Sequence, residues 1–409
     1  MPGLLRASLT LLAGGAMAQA LPLLLGPLLT RLYTPAEMGL YQLFAAVAAN
    51  LAVVACGRYE FALPMARDDD EAEGLRQLGL RILLVVTLIA TAGGLGWALW
   101  RHDSWPLWLG ATVAALGAVS LATMWATRAQ RFKALAWARV IQQGGGAGGQ
   151  AVAGLLQAGL HGLIVAPLLA GVATVACLRL PLQAVRSTTP LRDTARRFRE
   201  FPLLNTPHAF AGALQDTIAL ALLAATLGPA AAGFWGLALR YLKAPATLVG
   251  GAVSQALYPQ LARTGPGITP AGRAAVRRVM LTLGALAAVL VAALWLIGPW
   301  LFTWLFGPAW QDTGLLARAL AVYIGAHFVA SPLAVVTMAW GAQAWALRLA
   351  LVGQVVFVAA LALGLHLGGL QGAGWAVSLA MALYFGVYFA RLATWPLTHS
   401  TTPIQGDPA

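Results

Sequence analysis

Charge is scarce in this chain. Asp, Glu, Lys and Arg make up 10% of its 409 residues, against about 25% in a soluble globular domain. A soluble protein of this length needs a polar coat, and this one has too little polar material to make it. Only a bilayer as solvent removes that need. Cysteine is nearly absent as well. Cys56 and Cys177 both sit in apolar runs, so they read as small buried hydrophobes rather than a disulfide framework or metal ligands. Long polar loops are missing, which leaves no room for a soluble catalytic domain. No phosphate-binding glycine loop, nucleophile motif or histidine-rich metal motif occurs. These absences argue against an enzyme and imply no cofactor. One acidic run, Asp68 to Asp70 with Glu71 and Glu73, reads as a solvated loop rather than a metal site.

What fills the chain instead is apolar sequence, 60% of all residues. A membrane-spanning helix takes about 20 such residues. Twelve stretches qualify, near 9–32, 38–65, 79–100, 105–126, 136–158, 162–182, 202–227, 232–260, 276–306, 314–340, 345–366 and 370–395. The first is too long for a cleaved signal peptide and reads as an uncleaved anchor. The expected fold class is therefore an all-α integral membrane protein with about 12 transmembrane helices.

The formal net charge of +13 resembles a nucleic-acid signal, but its distribution says otherwise. With the N-terminus inside, the even-numbered loops face the cytoplasm. Of the 26 basic residues, Arg31, Arg101 and Arg318 fall on the opposite side, and Arg58, Arg240 and Lys243 fall inside spans. All the others lie on the cytoplasmic loops or ends. This is the positive-inside pattern. It places both termini in the cytoplasm, accounts for the charge without nucleic acid, and suits a multi-pass protein of the bacterial inner membrane.

An internal repeat divides the chain. Pro35, Ala36, Gly39 and Leu43 are matched six helices later by Pro229, Ala230, Gly233 and Leu237, with Tyr41 matched by Trp235. Each segment turns an odd span into the next even one. Six is even, so the halves share one topology and form parallel repeats about an axis along the membrane normal. The expected organisation is a six-helix bundle over 1–185, a basic cytoplasmic linker over 186–200, a second six-helix bundle over 201–396 and a short cytoplasmic tail over 397–409. The linker carries Arg192, Arg196, Arg197 and Arg199 and reads as an amphipathic helix on anionic headgroups.

Ionisable groups inside spans are costly and usually face a bundle interior or a wet cavity. The candidates are Arg58 and Glu60 in span 2, Asp216 in span 7, and Arg240 and Lys243 in span 8, with His208 and His327 as weaker ones. At about 1.5 Å of rise per residue, Asp216 and Arg240 both come near mid-membrane on adjacent helices, where a pair between them is plausible. Arg240 and Lys243 share a helix face, and Pro245 can kink the helix just beyond. Two cations so close repel in low dielectric, which makes sense if a polyanion such as a diphosphate visits them. Asp216 fits either a counter-ion to Arg240 or a site for a coupling cation, H+ or Na+. Arg58 either snorkels to the headgroups with Glu60 nearby or joins the substrate site. Asn50, Gln142 and Gln215 read as helix–helix hydrogen bonds. The run from Gly144 to Gly149 reads as a close-packing surface that could also bend.

Several stretches together resemble a known family. They are Leu32 to Tyr41, Gly57-Arg58-Tyr59-Glu60-Phe61-Ala62-Leu63-Pro64, Phe201-Pro202-Leu203, Pro229 to Trp235, Leu257 to Ala262, and Phe306-Gly307-Pro308-Ala309-Trp310. In order and spacing the chain is similar to Wzx-type O-antigen flippases of the multidrug/oligosaccharidyl-lipid/polysaccharide (MOP) exporter superfamily. The resemblance implies two bundles working by alternating access on an undecaprenyl-diphosphate-linked oligosaccharide, with polysaccharide polymerase or assembly proteins as partners. It implies a cationic central cavity, which Arg240 and Lys243 would suit, and Arg58 and Glu60 match the family's Arg-Tyr-Glu stretch. A MATE-like drug/cation antiporter of the same fold is the alternative. Such a pump would favour acidic residues in its cavity, and span 1 has none.

Overall fold

The computed structural model describes residues 18–181, 190–262 and 268–397. Among them there is helix and no strand, as lipid demands of backbone groups that find no water to bind. The helices are α1 (residues 18–32), α2 (Pro35–Val54), α3 (Asp69–Arg101), α4 (Leu109–Arg128), α5 (Phe132–Val140), α6 (Gly146–Leu155) and α7 (Gly159–Leu178). They continue with α8 (Leu191–Arg197), α9 (Thr206–Leu227), α10 (Pro229–Leu242), α11 (Ala244–Ala262), α12 (Pro270–Phe306), α13 (Gln311–Ala339) and α14 (Gln343–Thr394). Seven helices among the described residues are long and apolar enough to cross a membrane. The last, α14, is two helices joined across non-helical backbone at Gly368 and Gly369, between the two spans expected there. The segment 9–17 of the first expected span lies outside the described residues, as do Arg6, Arg186, Arg263 and the tail beyond 397.

The chain forms two compact units, Met1–Gly233 and Phe234–Ala409. The division does not fall at the basic linker around 186–200. Helix α9 belongs with the first unit because it packs on α2, where Asn50 donates to the Ala213 carbonyl at 3.2 Å and to the Thr217 hydroxyl. The helix–helix role expected of Asn50 is the one it plays. The core of the first unit gathers Phe44, Ala48, Leu63, Leu75, Val113, Leu121 and Leu178, with Trp105 edge-on to Phe44 and Trp97. The core of the second gathers Leu257, Val276, Leu283, Leu333, Val336 and Leu392. Outward faces of the long helices stay apolar, as with Leu296, Leu281 and Leu88, which is the surface a bilayer solvates.

Local sequence explains the helix ends. Thr34 caps α2 with its hydroxyl on the Glu37 N–H, and Glu37 answers with its carboxylate on the Thr34 N–H at 2.9 Å, a capping box followed by proline. Asp68 caps α3 in the same manner. Four expectations need correction. Span 2 does not stay helical to residue 65: α2 ends at Val54, Gly57 and Arg58 take positive φ of 59° and 62°, and Tyr59–Met65 is a 3₁₀ segment. Span 5 is interrupted by a π turn over Ile141–Gly145, where the glycine run begins. Span 8 breaks between α10 and α11.

The acidic run is the fourth correction: Asp68 and Asp69 are exposed as expected, but the run is not a loop and its glutamates are not solvated. It forms the first turns of α3, where carboxylates suit the helix dipole, and Glu71 and Glu73 are buried. Glu73 holds the fully buried Arg76, whose guanidinium also donates to the Pro181 carbonyl. Glu71 pairs with Arg197 of α8. The linker helix is therefore docked on protein through Arg197, buried Thr194 and Phe198, and the Tyr59 hydroxyl on the Ala195 carbonyl at 3.3 Å. Arg192, Arg196 and Arg199 point outward.

Candidate functional site

Two clusters of polar side chains lie in otherwise apolar surroundings, one in each unit. In the first, the left-handed turn at Gly57 and Arg58 breaks the helical run, and Glu60 just beyond it lies in the core, 2% exposed. Its Oε1 accepts a long hydrogen bond from the Ser120 hydroxyl of α4 at 3.4 Å, and its Oε2 is buried with no hydrogen-bond partner. Burial raises this carboxyl above the usual carboxylate range, against the opposing pulls of a backbone hydrogen bond, the Arg58 charge and Ser120. Arg58 lies over the Phe61 ring at 4.8 Å, and its Nε is also buried without a hydrogen-bond partner. The turn brings Arg58 and Glu60 into one neighbourhood without joining them in an ion pair. A buried carboxyl of this kind can bind and release a proton. The two residues stand beyond the last turn of α2, so the expectation that they lie on the spanning helix itself is corrected.

The second cluster forms where span 8 breaks. Lys243 occupies the junction between α10 and α11, and Pro245 stands in the first turn of α11. The Lys243 ammonium faces the Tyr323 ring of α13 at 5.9 Å. Tyr323 in turn neighbours His327 at 6.0 Å and Phe385 of α14 at 6.5 Å. Arg240 stands one turn before the break and is exposed. A broken helix at mid-membrane is where transporters commonly place ligand sites, because freed backbone and charge then line a cavity. Tyr323 and Ser120 were not singled out from the sequence. A single hydroxyl or ring inside an apolar helix carries no local signal of what it meets.

Asp216 lies on α9 in the first unit, exposed, one residue before the Thr217 that receives Asn50. The His208 side chain lies outside the described residues. Among the described residues, no group of three or more His, Cys, Asp or Glu side chains could hold a metal.

Broken spans, buried titratable groups and an apolar exterior define a polytopic membrane protein, and fold comparison agrees. A multidrug-resistance MATE family transporter of the MOP superfamily, solved in an inward-facing conformation, superposes with a TM-score of 0.71 at 16% identity, covering 91% of this chain and 93% of that one. The lipid II flippase MurJ, inward closed, gives 0.67 at 10% identity over 95% and 90%. A MOP superfamily transporter from Pyrococcus furiosus, with a binding pocket of reverse polarity, gives 0.57 at 17% identity over 95% and 94%. These neighbours are transporters and a flippase. The chain belongs to the polysaccharide biosynthesis protein family, whose model matches residues 28–314. It is a multi-pass membrane protein with the MOP fold. No curated protein sequence matches it.

Proposed function

We propose that this protein flips an undecaprenyl-diphosphate-linked oligosaccharide, an O-antigen, capsule or exopolysaccharide repeat unit, across the bacterial inner membrane by alternating access of two six-helix bundles. The observation that carries the reading is the pair Arg240 and Lys243 at the break of a spanning helix, in a chain of the polysaccharide biosynthesis family. A diphosphate matches two neighbouring cations, and arginine grips it with a fork of N–H donors. The lipid tail keeps to the bilayer while the glycan crosses between the bundles. Arg58 is a third contact for the diphosphate. Glu60 or Asp216 carries the coupling cation, H+ or Na+, and Asp216 is alternatively the counter-ion of Arg240. Polymerase or assembly proteins of the polysaccharide pathway take over the product.

The second reading is a MATE-like drug/cation antiporter, favoured by the likeness to the multidrug transporter and by the buried Glu60. The test is complementation of a flippase-deficient host by wild type and by Arg240→Ala/Lys243→Ala. Surface glycan restored by wild type, with lipid-linked intermediate accumulating in the variant, supports the flippase. Normal glycan from a well-expressed variant moves those cations to a structural role. Failure of well-expressed wild type in hosts of several glycan types, together with efflux of a hydrophobic cation, supports the antiporter instead.

A further inference from the structure

Hydroxyls on apolar helices usually return to the carbonyl four residues back on their own helix. Thr91, Thr123 and Thr174 do so here, at 2.7–2.8 Å. Ser378, 3% exposed on the second half of α14, reaches another helix instead. Its hydroxyl donates to the Ala319 carbonyl of α13 at 2.6 Å and accepts from the Tyr323 N–H at 3.3 Å. Those two backbone groups, four residues apart, are the ones that close a single α-helical turn. A side chain of one helix is thus set into the hydrogen-bond ladder of its neighbour. Close approach permits it. Gly374 lies one turn before Ser378, and a methyl built there would come within 2.8 Å of the Ala319 Cβ and 2.9 Å of the Leu316 Cδ1. The Tyr323 ring, 3% exposed, lies between Phe357 at 5.9 Å and Phe385 at 6.5 Å, with the Lys243 ammonium 5.9 Å from its centre. All these residues belong to the second compact unit.

We propose that Ser378 is a positioning residue of the transport site: its hydroxyl, set in the Ala319–Tyr323 turn, holds the Tyr323 ring against Lys243. The inference rests on the reading above that gives Lys243 to the substrate diphosphate. The physical case is local. A turn whose N–H and carbonyl are both engaged by another helix cannot rotate without straining two hydrogen bonds, so Tyr323 is fixed relative to α14. The ring then offers Lys243 the negative face of its π system, which steadies the ammonium without neutralising it. A carboxylate in the ring's place would compete with an incoming phosphate. Loss of the hydroxyl orphans no backbone group, because the Ala319 carbonyl and the Tyr323 N–H then bond each other as in any α-helix. Ser378→Ala therefore keeps the fold and frees the ring.

Lysine is rare enough to read this directly, because the chain has only Lys133 and Lys243. In full-length Lys133→Arg protein in detergent, acylation of Lys243 by an N-hydroxysuccinimide ester is followed by mass spectrometry of its peptide. Ser378→Ala should raise the rate several-fold, and Ser378→Thr, which keeps the hydroxyl, should stay near the parent. Gly374→Ala, which pushes α14 off α13 with the hydroxyl intact, should raise it as well. Tyr323→Phe keeps the ring and should leave the rate unchanged, whereas Tyr323→Leu should raise it. The double variant Ser378→Ala/Tyr323→Leu should react no faster than Tyr323→Leu alone, since the serine acts through the ring. Additive effects, or a parent-like rate in both Ser378→Ala and Gly374→Ala, overturn the positioning role. Acylation needs no substrate. If it follows the expected pattern while Lys243→Ala exports glycan normally, the positioning stands and the diphosphate reading of Lys243 falls.

Discussion

Replacing Glu73 by alanine removes the carboxylate that anchors a fully buried arginine. The Arg76 side chain is 0% exposed, and Glu73 receives its Nε–H at 2.8 Å and its Nη2 as well. Glu73 also accepts from Gln77 at 2.9 Å. Hydrogen bonds to charged groups contribute about 1.5–3 kcal/mol each, and breaking a buried ion pair from one side costs about 3–5 kcal/mol. We expect Glu73→Ala to destabilise the first unit by about 3 kcal/mol or more. Glu73→Leu/Arg76→Leu should cost less than Glu73→Ala alone, because it leaves no unpaired charge behind. The assay is thermal unfolding in detergent of the four members of a Glu73/Arg76 cycle, followed by tryptophan fluorescence. The reasoning is refuted if Glu73→Ala unfolds with wild type, or if the two residues contribute additively.

Two further outcomes follow from the same structure. Glu60 has its carboxyl raised by burial, so its folded-state proton affinity exceeds that of the unfolded chain. Its stabilising contribution is then full at low pH and is lost as pH rises through the folded value. Glu60→Gln should flatten that loss in pH-dependent melting, and if Glu60 carries the coupling proton it should also remove the pH dependence of export; a variant with wild-type profiles in both would count against the buried carboxyl. Thr34→Ala removes one side of the capping box of α2 and should cost about 0.5–2 kcal/mol, read by thermal unfolding. Thr34→Ser should restore most of it, and equal melting of all three would show that the cap contributes nothing.

Much of the architecture was legible because lipid imposes simple rules on sequence. Twenty-residue apolar runs, scarce charge and the arginine asymmetry are local properties. The paired motifs Pro35 to Gly39 and Pro229 to Gly233 were legible as a repeat, and Pro245 marked the break at Lys243. What misled was treating hydropathy as continuity. Residues 55–65 are apolar enough to extend span 2, yet Gly57 and Arg58 turn the chain and carry Glu60 off the helix. The acidic run looked solvated because sequence shows Arg76 three residues beyond Glu73 but not that both are buried, and nothing near it announces the partner of Glu71. The partner of Glu71, Arg197, comes from α8, beyond the four helices α4 to α7.

The sequence by itself determined the medium and the helical class. Each of these depends on composition and short-range period, which survive without knowledge of any contact. Only the tertiary structure decided that Glu71 meets Arg197, that Asn50 meets Thr217, that Lys243 faces Tyr323, and that Gly39 and Gly233 seat against the carbonyls of Pro229 and Pro35. Those pairings depend on where helices cross, and a crossing is set by the packing of whole surfaces rather than by any stretch of chain alone.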